Sequence, residues 1–231
     1  MPPRRIALDP DLRPFGRKIT SQNDEDGILG YLVGALGLTG GFCVEFGIGP
    51  PWGGDLARDG LEGNCRQLLE HGWRGLLMDA RAYPPAYGVR HERVTALNIN
   101  ALLRTHDTPA SIDVLSIDVD GQEFWIWCNL MARPRIVVIE YNGAFPVDVS
   151  VSVPFDLTFA WDGTRYHGAS LAALHKLGRS KFYTLVYANG VNAFFVRDDL
   201  LANPDAFSLA RMYVGLDLHP PDSADRPWVR I

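Results

Sequence analysis

Cysteine is scarce in this chain of 231 residues, and the few cysteines are scattered. Cys43, Cys65 and Cys128 are the three cysteines, and no two of them stand close together. A disulfide framework needs an even, recurring set of cysteines, and a structural zinc site needs closely spaced pairs. The pattern therefore indicates buried thiols in a reducing compartment, and we expect a cytoplasmic protein.

Long apolar runs and an excess of basic residues are also missing. No run approaches the roughly 20 apolar residues that span a bilayer. The start, Met-Pro-Pro-Arg-Arg, lacks the apolar segment of a signal peptide. The 22 Lys+Arg against 27 Asp+Glu give a formal net charge of -5. The lack of a basic stripe argues against a nucleic-acid partner that depends on phosphate neutralisation, and no membrane partner is expected.

Length and composition fit one globular α/β domain. A chain of 231 residues can form a single substantial core, and no linker or internal repeat divides it. We expect one domain over residues 1–231. It comprises an N-terminal arm over 1–20, a core over 21–197 and a C-terminal tail over 198–231.

Hydrophobic periodicity predicts helices and strands in alternation. The predicted helices are Asp24–Leu36, Leu61–His71, Asn98–Thr105, Gln122–Met131 and Ala169–Leu177. The predicted strands are Phe42–Phe46, Trp73–Met78, His91–Leu97, Ile112–Ile117, Arg135–Ile139, Phe182–Tyr187 and Val191–Arg197. Asn189-Gly190 is a hairpin signal between the last two. We predict a Rossmann-like, doubly wound, seven-stranded α/β sheet, mostly parallel with an antiparallel C-terminal hairpin, and with helices on both faces.

The stretch Gly41 to Gly49 reads Gly-Phe-Cys-Val-Glu-Phe-Gly-Ile-Gly and organises the chain. Glu45 stands at the carboxyl end of its strand, and Gly47 and Gly49 follow in a turn that a side chain would block. Ligands bind at this edge of an open parallel sheet, and a buried unpaired acid is costly. Glu45 is therefore expected to meet a ligand hydroxyl or amine. The alternative is a tight turn with an incidental acid.

Asp79 ends the next predicted strand. A nucleotide-binding sheet places an acid at this point to bind the two ribose hydroxyls. We therefore predict a ribose contact, with a helix N-cap as the alternative.

Taken together, these motifs resemble the class I S-adenosylmethionine-dependent methyltransferases. Val44 to Gly49 is similar to the first motif of that family, Asp79 to its ribose acid, and Ser116-Ile117-Asp118 to its fourth-strand motif. The finer pattern resembles the FkbM-like branch, over roughly Ser21 to Arg197. It includes Ser21-Gln22, Glu25-Asp26-Gly27, Gly63-Asn64, Gly72 to Leu76, Leu115 to Gly121, Ile139 to Asn142, Gly168 to Leu171 and Asn192 to Val196.

The resemblance implies an S-adenosylmethionine cofactor and methylation of a hydroxyl on a sugar or other small secondary metabolite. It implies that the amino end of the cofactor lies at the glycine turn and that the adenine faces Asn98. The cofactor-binding residues would be Glu45, Gly47, Gly49, Asp79, Asn98 and Asp118. The chain departs from the family pattern at Pro50-Pro51-Trp52, where many relatives continue with a third glycine, and at Asp79, where relatives often have Glu.

Acids also follow the fourth and fifth predicted strands. Asp118 and Asp120 end one strand, and Glu140 and Asn142 end the next. Carboxylates brought so close need a cation or a shared proton, and all-oxygen ligands suit Mg²⁺, Ca²⁺ or Mn²⁺. We predict a divalent metal, with Mg²⁺ as the first candidate, held by these four residues. The alternative gives Asp118 to the cofactor amine, makes Asp120 a helix cap and places Asn142 in a turn.

A long connection, Gly143 to Tyr166, precedes His167 and is typical of a lid or binding loop. We expect it to close over the acceptor together with the segment around Gln22. His167 is predicted to be the general base beside a catalytic Asp118, with a surface histidine as the alternative. The aromatics expected to stack on a sugar or aromatic acceptor are Trp52, Phe155, Trp161 and Tyr166.

Two other interpretations compete with the methyltransferase. One is a catalytically silent domain of the same fold that binds a cofactor or partner as a scaffold. The other is a dehydrogenase, whose fingerprint needs three spaced glycines that open a helix directly. Pro50-Pro51 interrupts that pattern here. The expected partner is a small-molecule or glycan acceptor, and the oligomeric state stays open, a homo-oligomer included.

Overall fold

The computed structural model describes residues 5–51 and 53–231. The strands are β1 Phe42–Phe46, β2 Arg74–Asp79, β3 Val89–His91, β4 Val114–Ile117, β5 Ile136–Glu140, β6 Val151–Ser152, β7 Tyr183–Ala188, β8 Asn192–Arg197 and β9 Val229–Arg230. The α-helices are α1 Glu25–Ala35, α2 Leu56–Asp59, α3 Arg66–Glu70, α4 Ile99–Thr105, α5 Glu123–Asn129, α6 Leu171–Ser180 and α7 Leu209–Met212. Short 3-10 turns are Arg13–Phe15, Pro85–Tyr87, Asp198–Leu200 and Pro204–Ala206.

Seven of these strands form one sheet in the order β3-β2-β1-β4-β5-β8-β7. The first five are parallel, whereas β8 pairs antiparallel with both β5 and β7. Every residue of β4 and β7 is buried, as expected for strands covered on both faces. The predicted mostly parallel sheet with its antiparallel hairpin is therefore confirmed.

The strand order reverses direction between β1 and β4. The chain first moves outward from β1 to β2 and β3, and then returns to place β4 and β5 on the other side of β1. Because such crossovers are right-handed, opposite directions put their helices on opposite faces of the sheet. The predicted doubly wound architecture follows, and its switch point lies at the carboxyl ends of β1 and β4.

Two predicted elements near this point are shifted. The third strand was predicted over His91–Leu97, but β3 ends at His91. Asn98 explains the difference, because its side chain accepts from Thr95 N at 2.7 Å and donates to Arg93 O at 2.8 Å. These bonds turn the backbone ahead of α4, so the segment cannot continue as a strand.

The helix predicted over Leu61–His71 is also shorter, since α3 begins only at Arg66. The extra turn α2 lies in what was predicted to be a loop. Asp55 caps it by accepting from Ala57 N at 3.0 Å and from Arg58 N at 3.1 Å. The N-cap signal at Asp55 is the feature from which α2 could have been predicted.

Both chain ends are attached to the core. Leu8 and Leu12 of the arm are buried in it, and Ile6 N donates to Leu200 O at 2.9 Å. The C-terminal tail is bound to the long connection. The tail strand β9 pairs with β6 of the connection, and Arg226 Nη2 of the tail donates to Asp162 Oδ2 at 2.7 Å. Arm, core and tail thus contribute to one continuous hydrophobic cluster.

Asp26, in the first turn of α1, binds the end of the N-terminal arm to that helix. Its carboxylate accepts from the amides of Ile19, Thr20 and Ser21 at 2.6–2.8 Å and from the Ser21 hydroxyl at 2.8 Å. Burial alone would raise the pKa of Asp26, but these hydrogen bonds outweigh it and lower the pKa below 3.8. The ionised carboxylate is therefore an integral part of the fold.

We predict that Asp26→Ala lowers the free energy of unfolding by about 2–3 kcal/mol, because several buried donors lose a charged partner. The loss of stability should be complete when the pH is above 3.8, the ordinary pKa of an aspartate. It should disappear as the pH falls through the lower pKa that Asp26 has in the folded protein. Denaturant unfolding between pH 2 and pH 7 measures it.

Asp11→Ala is the matched control in the same arm. Its ion pair with Arg13 is exposed, with the two side chains 42% and 80% accessible, so its removal should leave the free energy of unfolding almost unchanged. Equal losses for the two variants would contradict a special role of Asp26.

Candidate functional site

A cavity of about 730 Å³ opens at the carboxyl ends of β1, β2 and β4. Its floor is the glycine turn with Glu45 and Asp118. One wall is formed by Asp79 and the segment 92–96, and another by residues 155–161 of the long connection. Gln22 borders it from the N-terminal side. The long connection and the Gln22 segment therefore both face this cavity, as expected for segments around a binding site.

Gly47 is the point of closest approach between two strand ends. Its φ of +77° lies in the region that glycine favours, and a Cβ built on it would stand 1.2 Å from Asp118 O. Gly47 N donates to Met78 O at 3.1 Å, and Asp118 N donates to Phe46 O at 3.1 Å. The turn after β1 is thus held between the ends of β2 and β4, and it brings Glu45 and Asp118 to one floor.

Glu45 is 3% exposed and accepts two backbone hydrogen bonds. Asn64 N donates to Oε1 at 2.7 Å and Cys65 N donates to Oε2 at 3.0 Å. These amides stand at the N-terminus of α3, the second helix after β1, so the carboxylate caps that helix. Burial raises the pKa of Glu45 to about 7, against the lowering effect of the Cys65 and Asn64 amides. Glu45 lines the cavity, and its carboxylate also builds the fold.

Asp79 lies on the cavity wall at the end of β2 and is 9% exposed. Its Oδ1 accepts from Arg81 N at 2.6 Å. Burial raises its pKa, while the Arg81 and Ile48 amides act in the opposite direction. No helix begins at Asp79, so the alternative of a helix N-cap does not hold. The position agrees with that expected of an acid that binds a ribose.

A cluster of three carboxyl groups adjoins the floor. One oxygen each from Asp118, Glu123 and Glu140 lies within 4.8 Å of the others. Glu123 is fully buried; its Oε1 accepts from Val119 N at 3.0 Å and from Gly121 N at 2.6 Å, whereas its Oε2 has no partner among the described residues. Glu140 Oε2 is likewise buried without a hydrogen bond in residues 5–51 and 53–231.

The cluster strongly disfavours full ionisation. Burial, with the negative charges of Asp120, Glu123 and Glu45, holds the pKa of Asp118 well above its usual range. Burial and Asp118 do the same for Glu140, and burial raises the pKa of Glu123 to about 7. The cluster therefore retains protons near neutral pH or takes up a cation.

The predicted metal ligands are only partly brought together. Asn142 is turned away, because its Nδ2 donates to Arg165 O at 2.7 Å and His167 O at 2.9 Å, and its Oδ1 accepts from Ala144 N at 3.1 Å. Asn142 is therefore a turn residue, as the alternative to the metal site predicted. Asp120 lines the cavity with a φ of +58° but lies outside the three-carboxyl cluster. Glu123 replaces both residues.

His167 does not line the principal cavity, so its predicted role as general base is not supported. It is buried, 5% exposed, in a small second cavity, and its Nδ1 is 4.0 Å from Glu140 Oε2. Burial, with a contribution from His219, lowers its pKa to about 4. The surface-histidine alternative is also wrong. Glu140 lines this second cavity rather than the first.

The remaining predictions have mixed outcomes. Asn98 is not among the cavity-lining residues, because both ends of its side chain bind the local backbone. Phe155 and Trp161 line the cavity, whereas Tyr166 does not and donates to Pro227 O at 2.9 Å. Trp52, also predicted to stack on an acceptor, lies outside the described residues.

Sequence reasoning missed two residues, Glu123 and Asn192. Glu123 was assigned only to the first turn of a helix, although an acid two residues after Gly121 can fold back onto a strand end. Asn192 lines the cavity from β8. Asn192 was noted only as the first residue of the motif Asn192 to Val196, without a role in the site, and it begins the strand that pairs antiparallel with β5.

Comparison of the chain with protein-family models, with curated proteins and with solved structures finds no match. In the described part of the chain, none of the helices combines the length and the apolar character that a bilayer crossing requires.

We predict that Gly47→Ala lowers the free energy of unfolding by about 3 kcal/mol or more, because the methyl group meets Asp118 O and the positive φ is unfavourable for alanine. At Gly49, a Cβ has only Tyr83 Oη nearby, at 3.7 Å, and φ is not positive. The free energy of unfolding of Gly49→Ala should therefore lie within about 1 kcal/mol of the wild-type value. Equal sensitivity of both positions in denaturant unfolding would contradict the close approach described for Gly47.

Proposed function

We propose that this chain is an S-adenosylmethionine-dependent methyltransferase that methylates a hydroxyl group of a sugar or other small secondary metabolite. The observation that carries the proposal is the cavity at the switch point, with Glu45, Asp79 and Asp118 at the ends of β1, β2 and β4. Parallel α/β sheets bind nucleotides at this place. The resemblance to the FkbM-like branch remains part of the proposal.

The charge of the site favours a cationic ligand. Glu45 and Asp118 line the floor, and Glu25 and Glu123 lie close enough to raise the pKa of Asp118. The cavity-lining arginines, Arg81 and Arg93, belong to the opposite wall near β2 and β3. S-adenosylmethionine carries a sulfonium and an ammonium group, so its positive end suits the acidic floor.

The same geometry disfavours a dinucleotide. A dinucleotide places its pyrophosphate on the N-terminal amides of the helix after the first strand. Here Asp55 already accepts from the N-terminal amides of α2, the first helix after β1, and the amides of Asn64 and Cys65 before α3 are already occupied by the carboxylate of Glu45. A phosphate would be repelled by that carboxylate, so the dehydrogenase alternative is the weaker one.

The chain's own residues supply orientation and a proton acceptor. S-adenosylmethionine, when bound, supplies a methyl group whose carbon–sulfur bond breaks as a carbon–oxygen bond forms. The acceptor hydroxyl must then lose its proton. Asp118 lines the cavity floor, so its carboxylate stands where a proton acceptor for a bound hydroxyl would be needed. Phe155 and Trp161 form the wall on which an acceptor would rest.

A divalent cation such as Mg²⁺ is the second part of the proposal. The residues that fit it are Asp118, Glu123 and Glu140, and the unpartnered Oε2 atoms of the two glutamates support the fit. Hard cations prefer such oxygen ligands. A cation there would neutralise the acids and lower the proton affinity of an acceptor hydroxyl.

A silent binding domain is the alternative function. It shares the cavity and differs only in turnover, so it is distinguished by activity once the acceptor class is found. For either function we propose a cytoplasmic protein, supported by the free thiols of Cys43, Cys65 and Cys128. A small-molecule or glycan acceptor is the proposed partner, without nucleic acid.

We predict that S-adenosylhomocysteine binds the wild-type protein in isothermal calorimetry and that Asp79→Ala weakens this binding by about 1–3 kcal/mol, the usual effect of losing hydrogen bonds to a charged partner. Glu70→Ala is the control, because this exposed acid of α3 lies outside the cavity. Binding of NAD with no heat from S-adenosylhomocysteine at millimolar concentration would refute the proposed function.

We also predict that Mn²⁺ or Mg²⁺ binds the wild type and that Glu123→Gln weakens Mn²⁺ binding at least about tenfold, because a ligand oxygen and its charge are lost. Thermal shift and calorimetry measure it. Glu92→Gln is the control, since Glu92 lines the cavity outside the cluster. If saturating Mn²⁺ and Mg²⁺ leave the wild-type melting temperature unchanged, the acids share protons instead.

A further inference from the structure

Asn192 presents a buried hydrogen-bond acceptor at the edge of the cavity. It begins β8, lines the cavity and is 2% exposed. Its Nδ2 donates to Glu25 Oε1 at 3.0 Å, whereas its Oδ1 has no hydrogen-bond partner in the described part of the chain. A buried acceptor without a donor destabilises a protein. This position therefore favours a ligand that brings an N–H or O–H group.

Glu25 sets the orientation of this amide. It is fully buried in the first turn of α1, and it also accepts from Asn23 N at 2.7 Å and from Asn189 Nδ2 at 2.8 Å. Glu25 is the acceptor in each of these bonds, and its Oε1 also accepts from Asn192 Nδ2. Only the NH₂ end of Asn192 can therefore face Glu25, and Oδ1 must face away from it.

The surroundings of Asn192 select a positively charged donor. Glu25 stands behind the amide, with its Oε1 3.0 Å from Asn192 Nδ2, and the carboxyl groups of Glu45 and Asp118 line the same cavity. An ammonium group would satisfy the Oδ1 acceptor and offset these charges at the same time, whereas a neutral hydroxyl would do only the first.

The position along the sheet identifies the end of the ligand. Asp79 is on β2 and Asn192 is on β8, with β1, β4 and β5 between them. Four strand spacings amount to about 19 Å, so a ribose bound by Asp79 does not reach Asn192. A contact at Asn192 would therefore fall to the amino-acid end of the proposed cofactor.

We infer that Asn192 is a ligand-binding residue whose Oδ1 accepts a hydrogen bond from the α-ammonium group of S-adenosylmethionine, and that Glu25 is its positioning residue. The inference rests on the proposed function and adds the specific recognition of the amino group.

A cycle of two proteins and two ligands tests it by calorimetry. The proteins are the wild type and Asn192→Ala, and the ligands are S-adenosylhomocysteine and its analogue with the amino group replaced by hydrogen. We expect the variant to bind S-adenosylhomocysteine about tenfold or more weakly. The deaminated analogue should bind both proteins alike, because the deleted partner is already absent from it.

Asn23→Ala is the matched control. Asn23 Nδ2 also donates to Glu25 Oε1, at 3.2 Å, but Asn23 does not line the cavity. It should leave the affinity for S-adenosylhomocysteine unchanged within about twofold, well below the effect of a lost charged hydrogen bond. Glu25→Gln should weaken the binding of S-adenosylhomocysteine but not the binding of the deaminated analogue. Asn192→Leu fills the volume of the asparagine and replaces Asn192→Ala if that variant does not fold.

The outcomes separate this inference from the proposed function. Suppose that the wild type binds S-adenosylhomocysteine and that Asn192→Ala weakens the binding of both ligands equally, or of neither. Recognition of the ammonium group by Asn192 is then wrong, and the proposed function stands. If the wild type binds neither ligand, both are overturned.

Discussion

The absence of space between Gly47 and the backbone after β4 is the constraint on which the site depends. A side chain at Gly47 would occupy the position of Asp118 O. Because the strands meet this closely, the acid that ends β1 and the acid that follows β4 share one floor. The cavity then opens beside them, between the sheet edge and the long connection. A single backbone contact thus determines both the architecture of the switch point and its charge.

That convergence creates a charge problem which the protein solves only in part. Backbone amides satisfy Asp26 and Glu45, and two amides satisfy one oxygen of Glu123. Within residues 5–51 and 53–231, the second oxygens of Glu123 and Glu140 and the Oδ1 of Asn192 remain without donors. All three are acceptors, and all three belong to the edge at which the parallel strands end. A ligand that supplies positive charge or hydrogen-bond donors would complete the arrangement.

The fold could be predicted from the sequence because apolar strands and the turn after Asn189 are local signals. The positions of Glu45 and Asp79 followed from strand ends alone. The full site could not be predicted, because it depends on how loops redirect side chains. Asn142 binds the backbone of residues 165 and 167, far along the chain, and thereby leaves the acid cluster. Glu123 enters the cluster because the turn at Asp120, with φ of +58°, bends the chain back.

The cost of these acids bears on the choice between an enzyme and a silent scaffold. Burying a carboxyl group and keeping its charge without a partner destabilises a protein by several kcal/mol, and the pKa values of Asp118, Glu123 and Glu140 are raised accordingly. A scaffold that binds partners through its surface gains nothing from this arrangement, and apolar side chains would pack the same volume without the penalty. A site that must stabilise a cationic ligand does gain, because the unfavourable charge of the empty cavity becomes favourable interaction energy on binding. The proposed cation-binding cavity is therefore favoured over a scaffold that acts only through its outer surface, and a silent domain that binds the same ligand in the cavity shares this gain.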